Sequence, residues 1–240
     1  LFNIAHCSDN WTAGNFIEEQ IELIKQKIGN SNVLVGVSGG VDSSVVAALI
    51  HKAIGSQSTS VLIDHGLMRM NEAKNCVTAL QEGLGINIKS YDESEKFLSK
   101  LSGLEDPEQK RKVIGKQFIT SFESIAKKYD DMDFLAQGTL YPDVIESGVS
   151  KSSSAHVIKS HHNVGGLPDR MNFQLIEPLR ELFKDEVRKV GEELGLPHTL
   201  IQRHPFPGPG LAVRIIGDVT KERVSILQKA DQIYLDILYE

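Results

Sequence analysis

The run Val33-Leu-Val-Gly-Val37, then Ser38-Gly-Gly-Val-Asp-Ser-Ser44, then Val45-Val-Ala-Ala-Leu-Ile50, constrains the fold of this chain more than any other segment. The first five residues are apolar or glycine and read as a buried strand, and the last run begins an apolar helix face. A strand that feeds a glycine-rich turn and then a helix forms an anion site. The N–H groups of the first helical turn lack intrahelical partners, point at one spot and carry the positive end of the helix dipole. Gly39 and Gly40 let the backbone curl without a Cβ in the way. Ser38, Ser43 and Ser44 bring hydroxyl donors. Asp42 is out of place among phosphates unless a cation mediates, which points to Mg²⁺.

The turn is not a Walker A loop, since Gly-x4-Gly-Lys-Ser/Thr is absent. Nor is it a dinucleotide fingerprint, because Gly36, Gly39 and Gly40 are wrongly spaced. Around it, strand and helix patterns alternate. Thr12 is expected to cap a helix that ends at Gly29. Further strands are expected at Thr59–Ile63, Asn87–Tyr91, Asp133–Ala136 and Phe173–Ile176. Helices are expected from Asp42 to Ile54, from an Asn71 cap to Leu84, over Ser94–Leu101, over Pro107–Tyr129 behind an Asp106 cap, and over Leu179–Leu194. Residues 149–169 carry no sustained apolar period. The stiff segment His204-Pro-Phe-Pro-Gly-Pro-Gly210 precedes a strand-like run at Leu211–Ile216 and a helix over Lys221–Glu240.

Alternating strands and helices predict an α/β fold: a doubly wound parallel sheet of about five strands, covered on both faces. Ligands then sit beyond the carboxyl ends of the strands. The polar strand ends Ser38–Ser44, Asp64–Arg69 and Gln137–Asp143 should therefore meet at one crevice. Residues 206–240 hold one strand-like run and one helix, too little to bury a core alone. They read as the opening of a second, small α+β domain.

Composition excludes several classes. With 240 residues, 40% hydrophobic and 24% charged, the chain is an ordinary globular one. A net charge of −6 argues against a general nucleic-acid binder. The two cysteines, Cys7 and Cys76, cannot build a disulfide framework, so a reducing cytoplasmic setting is expected. No apolar run reaches the ~20 residues that span a bilayer. The chain begins with Leu1 rather than Met, as a piece of a longer polypeptide would.

The Ser38–Ser44 turn resembles the Ser-Gly-Gly-x-Asp-Ser loop of the N-type ATP pyrophosphatases. Five further segments resemble the GMP synthetase branch of that family: Lys110–Gly115, Leu135–Ser147, Ile158–Leu167, Lys184–Arg188 and Arg203–Leu211. The resemblance implies an adenine nucleotide alpha hydrolase-like fold and a ligase using ATP and Mg²⁺. In that reaction the C2 oxygen of XMP is adenylated, pyrophosphate leaves, and ammonia displaces AMP to give GMP. It further implies three regions. Residues 1–11 link to a glutaminase domain or subunit that supplies ammonia, 12–205 form the ATP pyrophosphatase domain, and 206–240 start a dimerisation domain that makes a homodimer.

Site roles follow from the same likeness. Ser38, Gly39, Gly40, Val41, Asp42, Ser43 and Ser44 would cradle the β and γ phosphates, with Asp42 on the metal. Leu67 and Gly138 would flank the adenine, and Asp64 would accept from the ribose or cap a turn. Lys159 would close on the phosphates. His161 and His162, which point apart as neighbours and so make a poor metal site, would contact substrate or order their loop. Asp143 and Glu146, three residues apart on one helical face, would bind Mg²⁺ or steer that loop. Arg111 would hold the XMP phosphate, as a bidentate cation suits a monoester. Two other readings remain: an NAD synthetase-like or tRNA-modifying pyrophosphatase, and a nucleotide-binding subunit without catalysis.

Overall fold

A computed structural model describes residues 11–129, 131–149 and 173–239. The elements run α1 (Ala13–Ile28), β1 (Asn32–Val37), α2 (Val41–Ile54), β2 (Ser58–Asp64), α3 (Glu72–Leu84), β3 (Ile88–Asp92), α4 (Ser94–Leu101), α5 (Pro107–Ala126), β4 (Met132–Ala136), α6 (Tyr141–Val149), β5 (Gln174–Ile176), α7 (Lys184–Glu193), α8 (His198–Ile201) and α9 (Lys221–Tyr239). The strands form one sheet ordered β3-β2-β1-β4-β5, with every pairing parallel. Successive connections leave β1 and β4 in opposite directions, so the switch point lies between those two strands.

Strand alternation divides the interior in two. Val33, Val35 and Val37 of β1 and Phe134 and Ala136 of β4 face a core shared with α1, α2, α3 and α7. Leu34, Val61, Ile63 and Leu135 face the opposite core, which holds Phe97, Ile114 and Phe122. Gly36 belongs to that second face, where a Cβ would lie 3.5 Å from the Phe122 ring. Local signals set the helix starts: Thr12 Oγ1 accepts from Asn15 N–H at 3.1 Å, and Asp106 Oδ1 accepts from Gln109 N–H at 2.8 Å.

Three expected elements differ. The helix expected from Leu179 starts at Lys184; Leu179–Leu182 forms turns instead, and Glu186 fixes the start by accepting Phe183 N–H at 2.8 Å. Asn71 precedes α3 in a left-handed conformation (φ 58°) without a side-chain cap. Glu72 accepts Arg69 N–H there instead, at 2.8 Å. The strand expected at Leu211–Ile216 is a 3₁₀ turn over Gly210–Arg214. Its Leu211 N–H donates to the Leu67 carbonyl at 2.8 Å, and Leu211, Ala212 and Ile215 enter the second core with Val219 and Val224. Lys110, at the start of α5, is fully buried. Its ammonium donates to the carbonyls of Ile215 (2.7 Å) and Gly217 (2.6 Å), and burial lowers its pKa. Among the described residues, no helix is long and apolar enough to cross a membrane.

Candidate active site

The three strand ends meet as the topology requires. A Cβ on Gly39 would lie 2.8 Å from the Met68 methyl, and one on Gly138 would lie 3.3 Å from Ser43 N and 3.2 Å from the Asp42 carbonyl carbon. The turns after β1, β2 and β4 therefore touch around the start of α2. Gly39 holds φ 79°, a conformation that favours glycine.

Within the turn the serines bond mainly to one another. Ser43 Oγ accepts Ser38 N–H at 3.1 Å and donates to Gly40 O at 3.1 Å. Ser38 Oγ lies 3.1 Å from Ser43 Oγ, and Ser44 Oγ donates to Gly40 O at 2.9 Å. These hydroxyls hold the shape of the loop. The N–H groups of Val41, Asp42 and Ser43 lack intrahelical acceptors. They make no hydrogen bond to a described residue.

Two cations from distant parts of the chain reach this turn. Lys184, the first residue of α7, places Nζ 2.6 Å from both Asp42 oxygens. Arg203 donates to Gly39 O at 2.5 Å and pairs with Glu72. Next to Gly138, Thr139 Oγ1 donates to Glu177, whose other oxygen accepts from Arg180 at 2.5 Å. Sequence reading assigned no role to Lys184, Arg203, Thr139 or Glu177. Its sole signal for the two cations was their place in the segments Lys184–Arg188 and Arg203–Leu211.

The other expected site residues fall unevenly. Asp64 Oδ1 accepts Gly66 N–H at 2.8 Å, closing a turn. Leu67, expected against the adenine, is fully buried in the second core and offers no face to a base. Asp143 Oδ2 accepts Leu140 N–H at 3.0 Å at the start of α6, and Glu146 lies on the same helix. Arg111 pairs with Glu108 at 3.4 Å on a half-exposed face of α5. Lys159, His161 and His162 lie outside the described residues. No group of three or more His, Cys, Asp or Glu gathers to hold a metal among the described residues.

His65, after β2, is buried beside Phe97, and its Nδ1 accepts Leu67 N–H at 3.1 Å. Burial lowers its pKa from 6.5 to about 4. The unfolded chain binds this proton more readily, so the contribution is full above pH 6.5 and is lost as pH falls toward 4. The loss amounts to about 3 kcal/mol. Urea midpoints measured across that window should fall, and His65→Asn, which keeps an acceptor but cannot protonate there, should flatten the slope. Burial also pushes the Cys76 thiol up to about 11, which makes it unreactive at neutral pH.

The parallel sheet carries the Ser-Gly-Gly-Val-Asp-Ser-Ser turn at its switch point, where open α/β folds hold their ligands. The family described as NAD synthase matches residues 13–116. The structure is similar to NMN synthetase from Francisella tularensis, with TM-score 0.61 and 16% identity, covering 92% of this chain and 87% of that one. It is also similar to the NH3-dependent NAD synthetase of Campylobacter jejuni, with TM-score 0.59 and 16% identity, covering 80% and 78%. At that identity the likeness extends to the fold alone. In sequence, the chain is 58% identical over 97% of its length to the GMP synthase [glutamine-hydrolyzing] of Lactobacillus delbrueckii subsp. bulgaricus. It is 55% identical over 99% to that of Ectopseudomonas mendocina. The chain is thus similar to GMP synthases along nearly its whole length. It spans 44% and 45% of the length of these two relatives.

Proposed function

We propose that this chain is the ATP-consuming part of an enzyme that aminates XMP to GMP. The observation that carries the reading is the Lys184–Asp42 pair, set at 2.6 Å on the first turn of α2 beside unpartnered N–H groups. A polyphosphate entering that turn offers Lys184 an anion and frees Asp42 for a cation. The names of the 55–58% identical relatives supply the acceptor and the source of ammonia.

The donor set suits Mg²⁺, which binds through one or two carboxylates plus substrate phosphates rather than an all-protein cage. Asp42 would supply that carboxylate, and the ion would neutralise charge on the departing pyrophosphate. The N–H groups of α2 and Lys184 stabilise the same charge from fixed positions. The C2 oxygen of XMP attacks the α phosphorus, the α–β bond breaks and pyrophosphate leaves. Ammonia then adds at C2, and AMP departs with the former C2 oxygen. Ammonia would come from glutamine through a glutaminase domain or subunit, in keeping with the relatives' length. Arg111 would bind the XMP phosphate, Lys159, His161 and His162 would act from their own segment, and a cytoplasmic homodimer completes the proposal.

The test mixes the protein with ATP, Mg²⁺, XMP and ammonium and measures pyrophosphate, with XMP omitted as the control. Release that requires XMP, with GMP formed only when ammonium is present, is expected. Release indifferent to XMP, or dependent instead on a dinucleotide acceptor, would overturn the assignment in favour of an NAD synthetase-like reaction.

A further inference from the structure

The segment Arg203–Pro209, between α8 and the 3₁₀ turn, joins the glycine turn to the far end of the chain. Arg203 is largely enclosed, with 18% of its side chain exposed. It makes two directional contacts, to Gly39 O at 2.5 Å and to the Glu72 carboxylate, and its guanidinium lies 5.5 Å from the Phe206 ring centroid. Both ends of this link are themselves fixed. Glu72 also accepts Arg69 N–H at 2.8 Å. The Arg69 side chain donates to the carbonyls of His204 (2.9 Å) and Pro205 (3.3 Å) and to Asp231 Oδ2 at 2.9 Å. Asp231 lies on α9 and also accepts from Arg214 at 2.8 Å.

In a trans peptide the carbonyl and the following N–H point to opposite sides. With the Gly39 oxygen drawn to Arg203, the Gly39–Gly40 peptide keeps its N–H side toward Ser38, whose Oγ lies 3.4 Å from Gly40 N. Glycines resist a peptide flip less than any other residue. A flip here would turn a carbonyl dipole toward the site of the incoming phosphates, and repulsion would replace attraction. The turn itself supplies no contact to the Gly39 oxygen; among the described residues Arg203 supplies it.

We propose that Arg203 is a positioning residue for the phosphate cradle, holding the Gly39–Gly40 peptide with its oxygen away from the nucleotide. This rests on the reading of the Ser38–Ser44 turn as the phosphate site. Lysine at this position can reach the carbonyl or Glu72 but not both, and methionine can reach neither.

The experiment measures ATP affinity by calorimetry and backbone amide exchange for the wild-type protein, Arg203→Lys and Arg203→Met. The dissociation constant should rise at least tenfold in Arg203→Met and by a smaller step in Arg203→Lys. In the absence of nucleotide, exchange should quicken at least tenfold at Gly40 and Ser44, whose N–H groups bond within the turn, while β1, β2 and β4 keep their protection. A merely structural role would instead lower protection across the sheet, and that result overturns the proposal. So does a wild-type dissociation constant in Arg203→Lys, which also decides the matter should Arg203→Met not fold. A wild-type protein that binds no ATP would defeat the phosphate reading, and the exchange at Gly40 and Ser44 would still judge the role of Arg203.

Discussion

Gly210→Ala should destabilise the protein by roughly 4 kcal/mol, a large fraction of the about 5–15 kcal/mol that holds a typical domain folded. Two costs add at this position. Gly210 holds φ 66°, which L residues occupy at a cost of about 1–2 kcal/mol. It is also buried, and a Cβ there would lie against the backbone of Leu67, 2.9 Å from its carbonyl carbon. Backbone cannot swing aside as a side-chain tip can, so overpacking adds about 1–3 kcal/mol. The same shift would break the bond from Leu211 N–H to Leu67 O. Urea unfolding of the variant measures the loss directly. A midpoint near that of the wild type would mean that the proline-glycine segment is not packed on the β2 turn.

Asp42→Ala and Lys184→Met are expected to have the opposite profile, with the fold kept and turnover lost. Both side chains are partly exposed, at 28% and 45%, and an ion pair in such a position contributes about 0–1 kcal/mol. Melting temperatures should therefore hardly move. Catalysis should suffer more, because each charge acts on the phosphates in the transition state, where one lost electrostatic contact costs about 10²–10³ in rate. The double variant should lose less than the product of the two single losses, since both act on one ligand. Pyrophosphate release, assayed beside thermal melts, separates these outcomes. Full turnover in Asp42→Ala would remove Asp42 from the metal role.

What the sequence made legible was local. The glycine turn, the Thr12 and Asp106 caps and the apolar runs of β1 and β4 are written in residues a few positions apart, and all are found where the sequence put them. The run Leu211–Ile216 misled because a short apolar stretch carries no period that tells strand from buried turn. Its conformation is set instead by Gly210 and by contacts with Leu67 and Lys110, more than a hundred residues away in the chain. The first turns after β5 misled similarly: Leu179 and Leu182 are as apolar as a helix face, but the Glu186 contact to Phe183 N–H postpones the helix to Lys184. The site was half legible for the same reason. Ser38–Ser44 announces itself, whereas Lys184 and Arg203 bond to it across 142 and 164 residues. No local pattern distinguishes them from solvated surface cations. Leu67 shows the converse error, a strand-end residue whose side chain the second core takes up.

These long spans also bear on how the protein is made. Synthesis runs from the N-terminus, so the glycine turn leaves the ribosome before β2 and β3. β4, which completes the pairing of the central strand, comes later, and Lys184 and Arg203 later still. Until then the nascent chain carries the glycine turn without the two cations that bond to it. Contacts of such separation also form slowly, because the loops they close are costly in entropy. A ribosome-bound intermediate thus holds an unbraced glycine turn until Lys184 and Arg203 have emerged.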